Sequence, residues 1–256
     1  RWRRAAPAVA RWAAVSEAVA ADSRVELGIP PDRMTVVPPC VDVERFRPDP
    51  MVGEAWRAAS GLSADDRVLA VASRLEAAKG VGVAVEALGR VRARRPDVVL
   101  LVAGAGVDAT ALRRRARVLG VASAVRFLGL VDHEELPAVL AAADLFLLPA
   151  LGPGGLPLSA LEASAAGLPV VASDVRGARE AVVDGVTGVL VPAGDADALD
   201  RTVEELLSDT ARRRELGRQG RALAEQRFSQ AVVSQAVEKL LVEAADRVPR
   251  RRPGRP

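Results

Sequence analysis

The sequence predicts an α/β protein with a doubly wound, mainly parallel, Rossmann-like sheet and helices on both faces. Of its 256 residues, 50% are apolar and 27% are charged, a balance that suits one large globular domain rather than a disordered chain. Short apolar, β-branched runs alternate with Ala-, Leu- and Arg-rich segments of helical period, which is the pattern of a βαβ series. Because the runs are continuously apolar, we expect central parallel strands that are covered on both faces.

Seven apolar runs are the predicted strands. Open sheets of this kind bind ligands beyond the carboxyl ends of their strands, so we expect functional residues just after these runs. In chain order the runs are MTVVP (34–38), RVLAVAS (67–73), VVLLVAG (98–104), VRFLG (125–129), LFLLPA (145–150), PVVASD (169–174) and GVLVPA (188–193).

Capping residues and apolar periodicity predict the helices between the strands. Glycine or proline follows several of them, as expected where a helix stops. The predicted helices run from Ala8 to Leu27, from Lys79 to Arg94, from Asp108 to Leu119, from Pro157 to Ala166, from the Asp195 and Asp197 caps to about Leu207, onward from a Thr210 cap, and from Ser229 to Ala245.

The chain divides into three predicted parts. Residues 1–48 end one domain and cross into the next, since a Pro-rich loop follows MTVVP. Residues 49–228 form the Rossmann-like domain, and residues 229–256 form a last helix with a basic, disordered tail. Because the chain begins with Arg1 rather than Met and its opening lacks a signal peptide, we expect a fragment of a longer protein. The high Ala and Arg content predicts a bacterial source with a GC-rich genome.

Composition narrows the possible chemistry. The single cysteine, Cys40, excludes an intramolecular disulfide, and one histidine cannot by itself supply a zinc cluster. That histidine, His133 in VDHEELP, is predicted to be a surface residue at the start of a helix, with no catalytic role. No apolar run approaches the ~20 residues that would cross a bilayer.

The positive charge lies largely at the ends of the chain. The formal net charge is +3, and much of the excess falls in residues 1–4 and 247–256. These ends are either solvated or in contact with anionic lipid head groups beside Trp2 and Trp12. Nucleic acid is not an expected partner, because three Trp, four Phe and no Tyr provide little surface for base stacking.

Arg74 and Lys79 follow the second predicted strand, and Gly80 opens the next helix. Two cations at the carboxyl edge of a sheet, beside a helix N-terminus, make a site for a diphosphate. A solvated loop with two cations is the alternative. The loop carries no G-x-G-x-x-G, which weighs against a nicotinamide or flavin dinucleotide fold.

The segment GPGGLPLSALEASAAG (152–167) is the most informative in the chain. Its glycine-rich loop brings backbone N–H groups to the N-terminus of a helix, where an anion is stabilised. Glu162 lies within that helix and either faces solvent or accepts hydrogen bonds from a diol such as a ribose. Gly104 and Gly106 in VAGAG indicate either a tight turn or close approach of the backbone to a ligand.

Together these segments resemble the C-terminal half of GT-B glycosyltransferases of family 4 (glycosyl transferases group 1). The resemblance extends from about Val15 to Phe228, and its motifs fall in the same order at the same spacing. They are VSEAVAADSRVELGIPPDRMTVVPPCVDVERFRP, SRLEAAKG, VVLLVAGAG, VRFLGLVDHEELPAVLAAADLFLLPA and GGLPLSALEASAAGLPVVASDVRGAREAVVDGVTGVLVPAGD.

The resemblance implies a role for each matching residue. Arg74 and Lys79 match the Arg and Lys that bind the donor diphosphate, and Glu162 matches the second Glu of an E-x7-E motif, which binds the ribose hydroxyls. Two short segments complete the implied site. The turn of Gly129, Leu130 and Val131 lies against the base, and the loop of Gly155, Leu156 and Pro157 offers N–H groups to sugar and phosphate, except for Pro157, which has none.

Two departures from the family pattern stand out. The first Glu of E-x7-E, which contacts the donor sugar, falls on Gly154 here, and losing such a charged hydrogen bond costs roughly 1.5–3 kcal/mol. Pro39-Cys40 stands where the family commonly has Asn-Gly, which predicts a stiffer hinge loop. The acceptor site of such enzymes would lie upstream of Arg1.

The expected function is therefore retaining transfer of a sugar from a nucleoside diphosphate sugar to an acceptor hydroxyl, without a metal or further cofactor. The expected partners are the donor and a missing N-terminal acceptor domain, with the membrane surface as a third. We expect a cytoplasmic protein, or one peripheral to the inner face of the membrane. A non-catalytic nucleotide-sugar-binding or scaffold module is the alternative, and the fragment alone is expected to be inactive.

Overall fold

The computed structural model of the chain describes residues 9–247. They form one large α/β unit and a small N-terminal unit, which comprises the first two strands and the helix between them, residues 12–36. The strands are β1 (Trp12–Ala14), β2 (Met34–Val36), β3 (Arg67–Ala72), β4 (Val98–Ala103), β5 (Val125–Gly129), β6 (Leu145–Leu148), β7 (Val170–Ser173) and β8 (Gly188–Val191). The helices are α1 (Glu17–Leu27), α2 (Pro50–Ala59), α3 (Val81–Arg92), α4 (Ala109–Val118), α5 (Leu136–Ala141), α6 (Leu158–Ala165), α7 (Ala178–Ala181), α8 (Ala196–Ser208), α9 (Thr210–Leu223) and α10 (Gln230–Arg247).

Strands β3 to β8 form one six-stranded parallel sheet, which confirms the predicted fold class. Its strand order is β5-β4-β3-β6-β7-β8. From β3 the chain winds outward through β4 to β5, then returns to place β6 on the other side of β3. A crevice opens where the winding direction reverses, so this topology puts a ligand site between the carboxyl ends of β3 and β6.

Helices cover both faces of this sheet. On one face α3, α4 and α8 pack on the side chains of β3 and β4, with Leu69, Leu88 and Leu100 fully buried among them. On the other face lie α2, α5 and α6, where Phe146 and Leu161 are in the core. Strands buried on both faces explain why their sequences are continuously apolar rather than alternating.

The N-terminal unit departs from the prediction. Strand β1 pairs in parallel with β2 as a separate two-stranded sheet, so the helix predicted from Ala8 begins only at Glu17. The Ser16 hydroxyl accepts a hydrogen bond from the Val19 N–H and so caps α1, and Gly28 ends the helix in the left-handed conformation, as predicted. Ala8 itself lies outside the described residues.

Three other helix starts also differ from the prediction. Residues 77–79 form a 3-10 turn that Gly80 ends, so α3 begins at Val81 rather than at Lys79. Asp209, not Thr210, caps α9, because its side chain accepts from the Arg212 N–H. Asp195 caps α8, but Asp197 lies inside its first turn.

The chain passes between the two units twice, and the two passages touch. The Val41 N–H donates to the Phe228 carbonyl at 2.8 Å, where the first crossover meets the end of the domain. Helix α10 then returns to the N-terminal unit, where Glu243 forms an ion pair with Arg11. The N-terminal unit therefore lies on the side of the large unit where the segments around Val41 and Phe228 meet.

Candidate functional site

Two adjoining cavities lie at the carboxyl edge of the sheet. The larger has a volume of about 390 Å³ and the smaller about 280 Å³. Ala72, Ser73, Arg74 and Ser159 line both of them, so the two cavities are parts of one cleft. The cleft is at the crevice that the strand order creates beside β3 and β6.

The larger cavity is lined by cations and by backbone. Arg74, Lys79 and Arg176 line it, and none of its lining residues is Asp or Glu. The Arg74 guanidinium makes two contacts with the Glu76 carboxylate, at 3.0 and 3.1 Å, while its side chain remains 74% exposed. Lys79 ends the 3-10 turn and has no carboxylate partner among residues 9–247. This half of the cleft suits a polyanion.

Gly80 fixes the position of the turn that carries Lys79. It has a φ of 66°, and a Cβ there would overlap the Pro149 carbonyl at the end of β6. The Leu151 N–H donates to the Ala78 carbonyl at 2.9 Å across the same contact. Because only glycine fits this approach, the sequence places the Lys79 turn directly beside the glycine-rich loop.

The predicted glycine-rich loop forms the opposite wall of the larger cavity. Gly154, Gly155, Leu156 and Pro157 all line it, and Pro157 is the residue before α6. The Gly154 N–H lies 3.4 Å from the Arg176 carbonyl, so this donor is already partly engaged. A Cβ built on Gly154 would meet nothing within 4 Å, which means that the position would accept a side chain.

The loop between β7 and α7 contacts both the glycine-rich loop and the N-terminal unit. Gly177 has a φ of 87°, and a Cβ there would come within 2.5 Å of the Gly154 and Gly155 carbonyls. Arg176 donates to the Ala18 carbonyl at 2.9 Å, beside the first turn of α1. Glu180 accepts two N–H groups of that turn, at 2.8 and 2.9 Å.

Glu162 is buried in the smaller cavity. Its side chain is only 7% exposed, so the alternative in which this carboxylate faces solvent is wrong. It has no hydrogen-bond partner within the described part of the chain, and burial raises its pKa to about 7. A buried carboxylate that lines a cavity without a partner is positioned to accept hydrogen bonds from a ligand.

His133 lies beside Glu162 and was not predicted to belong to the cleft. Its Nδ1 is 3.7 Å from Glu162 Oε1, which is too long for a hydrogen bond, and its ring is 5.2 Å from that of Phe46. His133 is exposed, as predicted, but it lies in the turn before α5 and lines the smaller cavity. Its place four residues after strand β5 was the signal that could have found it.

The turn predicted to lie against a base is only partly in the cleft. Leu130 and Val131 line the smaller cavity, and Leu130 is 82% exposed there. Gly129 does not line this cavity. It is the last residue of β5, and its carbonyl accepts a hydrogen bond from the Gly104 N–H at 2.6 Å. Its φ of 75° turns the chain toward Leu130.

The two glycines of VAGAG have a packing role. A Cβ on Gly104 would overlap the Ser73 carbonyl, and a Cβ on Gly106 would overlap the Leu75 carbonyl. Both glycines therefore let the loop after β4 lie against the loop after β3. Of the two predicted readings, the close approach is mainly one of backbone to backbone. Because Gly104 also lines the smaller cavity, this contact lies at the edge of the cleft.

Within residues 9–247, no three His, Cys, Asp or Glu side chains come together as possible metal ligands. Over that same part of the chain, no helix has both the length and the apolar content needed to span a bilayer.

The sequence of this chain is similar to those of known proteins. The profile of the family described as glycosyl transferases group 1 matches residues 52–223. The GDP-mannose-dependent alpha-(1-6)-phosphatidylinositol monomannoside mannosyltransferase of Mycolicibacterium smegmatis is 42% identical over 191 residues, which cover 72% of this chain and 50% of that protein. The chain spans about half the length of the curated relatives that it matches.

Solved structures give the same fold. Anabaena HepE in complex with UDP has a TM-score of 0.86 and 25% identity, covering 93% of this chain and 65% of that one. The C-terminal domain of a glycosyl transferase group 1 protein from Francisella tularensis has a TM-score of 0.67 and 23% identity, covering 74% of this chain and 99% of that domain. The second likeness concerns the fold alone.

Proposed function

We propose, because this chain belongs to the glycosyl transferases group 1 family, that it is the donor-binding half of an enzyme that transfers a sugar from a nucleoside diphosphate sugar to an acceptor hydroxyl. The observation that carries the proposal is the cleft itself. Its larger part contains Arg74 and Lys79 with no carboxylate among its lining residues, and its smaller part contains the buried Glu162, whose carboxylate makes no hydrogen bond within residues 9–247.

The two parts divide the donor between them. The diphosphate occupies the larger cavity, where Arg74 and Lys79 stabilise the negative charge that develops as the bond to the sugar breaks. The ribose occupies the smaller cavity, where ionised Glu162 accepts hydrogen bonds from two hydroxyls. Leu130 and Val131 pack against the base. In this assignment the transfer proceeds with retention and without a metal.

The sugar lies against the glycine-rich loop. Gly155 and Leu156 offer backbone N–H groups at the wall of the larger cavity, and Pro157 shapes the entry to α6 without donating. Gly154 supplies no carboxylate to the sugar hydroxyls. The contact to the sugar is therefore weaker than in a protein with Glu at this position, by roughly 1.5–3 kcal/mol.

We assign GDP-mannose as the donor. The support is two relatives, 42% identical over 191 residues and 37% identical over 212 residues, which are named as GDP-mannose-dependent mannosyltransferases. The matched segment covers only 50% and 55% of those two relatives, so the proposal places the acceptor site in a preceding half and expects this chain alone to bind the donor without turning it over. A cytoplasmic protein that works at the membrane surface fits the lipid acceptors in those names.

A non-catalytic nucleotide-sugar-binding module is the second candidate. The observation that favours it is Gly154, since the larger cavity lacks the carboxylate that would grip the sugar hydroxyls. Gly154→Glu in the protein extended to its natural N-terminus separates the two, because the position has room for the side chain. Sugar transfer by the unchanged extended protein supports the enzyme, whereas transfer that only Gly154→Glu restores supports the binding module.

Calorimetric titration with GDP, UDP and ADP tests the donor assignment. We expect GDP to bind this chain and Arg74→Ala to weaken that binding about 10- to 100-fold, the range for losing a charge-assisted hydrogen bond. Arg201→Ala is the matched control, since Arg201 is exposed on α8, outside the cleft. Equal binding of all three nucleotides, or equal weakening by both substitutions, would contradict the assignment.

A further inference from the structure

Helix α4 has an unusual surface. It carries four arginines and no acidic residue, whereas the formal net charge of the whole chain is only +3. Leu112 and Ala116 form its buried stripe against the core. The remaining faces are turned to solvent, and they combine basic with apolar side chains.

The outward stripe of α4 is apolar around a single arginine. Residues three or four apart lie on one side of a helix, which places Ala111, Arg114 and Val118 directly opposite the buried stripe. Val107, just before the helix, continues this stripe and is 90% exposed, and Val118 is 78% exposed. A shallow surface concavity is lined by Val107, Ala111, Arg114 and Val118, together with Thr110, Leu119 and the ion pair of Arg115 with Glu86.

Arginines flank this stripe on both sides. Arg113 and Arg117 lie on one flank, where the Arg113 guanidinium stacks over the Phe127 ring at 4.4 Å. Arg115 lies on the other flank and is neutralised by an ion pair with Glu86. Arg114 and Arg117 have no carboxylate partner within the described part of the chain. The net charge of the exposed face is therefore positive.

We propose that this face, comprising Val107, Ala111, Arg114, Arg117 and Val118, docks on an anionic lipid bilayer. An apolar stripe flanked by basic side chains is the pattern of a helix that lies in the plane of a membrane surface. Each unpaired arginine near such a surface adds attraction to anionic head groups, and the valines enter the head-group boundary. The lack of an exposed aromatic ring on the stripe favours lipid over nucleic acid.

The position of α4 relates this surface to the cleft. The loop before α4 contains Gly104 and Ala105, which line the smaller cavity, and Val107 follows two residues later. Docking through α4 would therefore bring the mouth of the cleft close to the bilayer. The proposal does not depend on the donor assignment, since it uses only the outer face of the helix.

Sedimentation with lipid vesicles tests the proposal. The chain should bind vesicles of phosphatidylcholine with phosphatidylglycerol and not vesicles of phosphatidylcholine alone. Arg114→Gln/Arg117→Gln should lower the partition coefficient about 30-fold at low salt, since each basic residue near an anionic surface contributes roughly five-fold. Val107→Ser/Val118→Ser should lower it roughly five-fold even at high salt, because that loss is apolar.

Matched controls separate this surface from the basic ends. Arg201→Gln/Arg214→Gln removes the same charge from exposed positions on α8 and α9 and should change partition less than about two-fold. Replacing the arginines of residues 1–8 and 248–256 by Gln should leave the difference between the α4 variant and its control unchanged. Equal losses in both double variants, binding that depends only on those ends, or preferential binding to duplex DNA over vesicles would overturn the proposal. Unchanged melting temperatures show that the variants are folded.

Discussion

The two parts of the cleft use opposite electrostatic strategies. Arg74 in the larger cavity stays largely in water, with 74% of its side chain exposed, whereas Glu162 in the smaller cavity is 7% exposed. An exposed cation lowers the free energy of unfolding very little and remains accessible to an anionic ligand. A buried carboxylate without a partner costs stability until a ligand supplies hydrogen bonds. Replacing the cations of the larger cavity should therefore change the free energy of unfolding little. Replacing Glu162 in the smaller cavity should raise stability and weaken ligand binding.

The largest expected effect is on affinity in the larger cavity. Lys79→Ala should weaken binding of a nucleoside diphosphate about 10- to 100-fold, because a charged contact to phosphate is lost. It should leave the melting temperature nearly unchanged, since Lys79 has no carboxylate partner to strand among the described residues. Calorimetry and a thermal melt check both parts. Equal loss of affinity for the nucleoside without phosphates would place the effect elsewhere.

The next effect is on stability in the smaller cavity. Below about pH 4.5, its ordinary pKa, Glu162 is protonated in both the folded and unfolded states. As pH rises from there through about 7, the unfolded chain releases a proton that the folded protein keeps, so the free energy of unfolding falls. Glu162→Gln should remove this fall and raise the free energy of unfolding above pH 7 by roughly 1–3 kcal/mol.

The same substitution should lower nucleotide affinity above pH 7, because the ionised carboxylate is the better acceptor for ribose hydroxyls. Denaturant unfolding at several pH values, with and without GDP, measures both quantities. A variant that is both less stable and unchanged in affinity would show that Glu162 is a structural residue with partners in the fold.

The smallest effect concerns the loop between β7 and α7, which contacts the N-terminal unit. Gly177→Ala should destabilise the fold by roughly 1–2 kcal/mol, because Gly177 has a positive φ and its Cβ would approach the Gly154 and Gly155 carbonyls. Gly154→Ala is the matched control and should change stability by less than about 0.5 kcal/mol, since nothing lies within 4 Å of its Cβ. Equal effects in chemical unfolding would mean that the loops move apart freely.

The sequence predicted the strands better than the ends of the chain. Each of the seven predicted runs contains a strand. Six of them lie in the central sheet, where parallel strands covered on both faces need continuous apolar sequence, whereas MTVVP forms β2 in the separate two-stranded sheet. Strand β1 was missed since it has only three residues, and its Ala-rich surroundings favour a helix by local propensity. Pairing with β2 over a distant stretch of chain is a tertiary effect that no local pattern encodes.

The site was partly predictable for a similar reason. Arg74, Lys79 and the glycine-rich loop follow apolar runs, so topology brings them to one edge of the sheet. The burial of Glu162 did not follow from periodicity, because residues 160–165 of α6 are all buried and no solvent face marks the direction of the carboxylate. Arg176 resembled an ordinary loop residue, since its contacts with α1 depend on how the two units pack.

The most direct test of the account is a crystal structure of this chain with GDP. We expect phosphate oxygens within hydrogen-bond distance, about 2.7–3.2 Å, of Arg74 and Lys79, and ribose hydroxyls equally close to Glu162. GDP found with its phosphates toward Glu162, or in the neighbouring cavity between α3 and α4, would contradict the division of the cleft into a cationic diphosphate site and a buried ribose site.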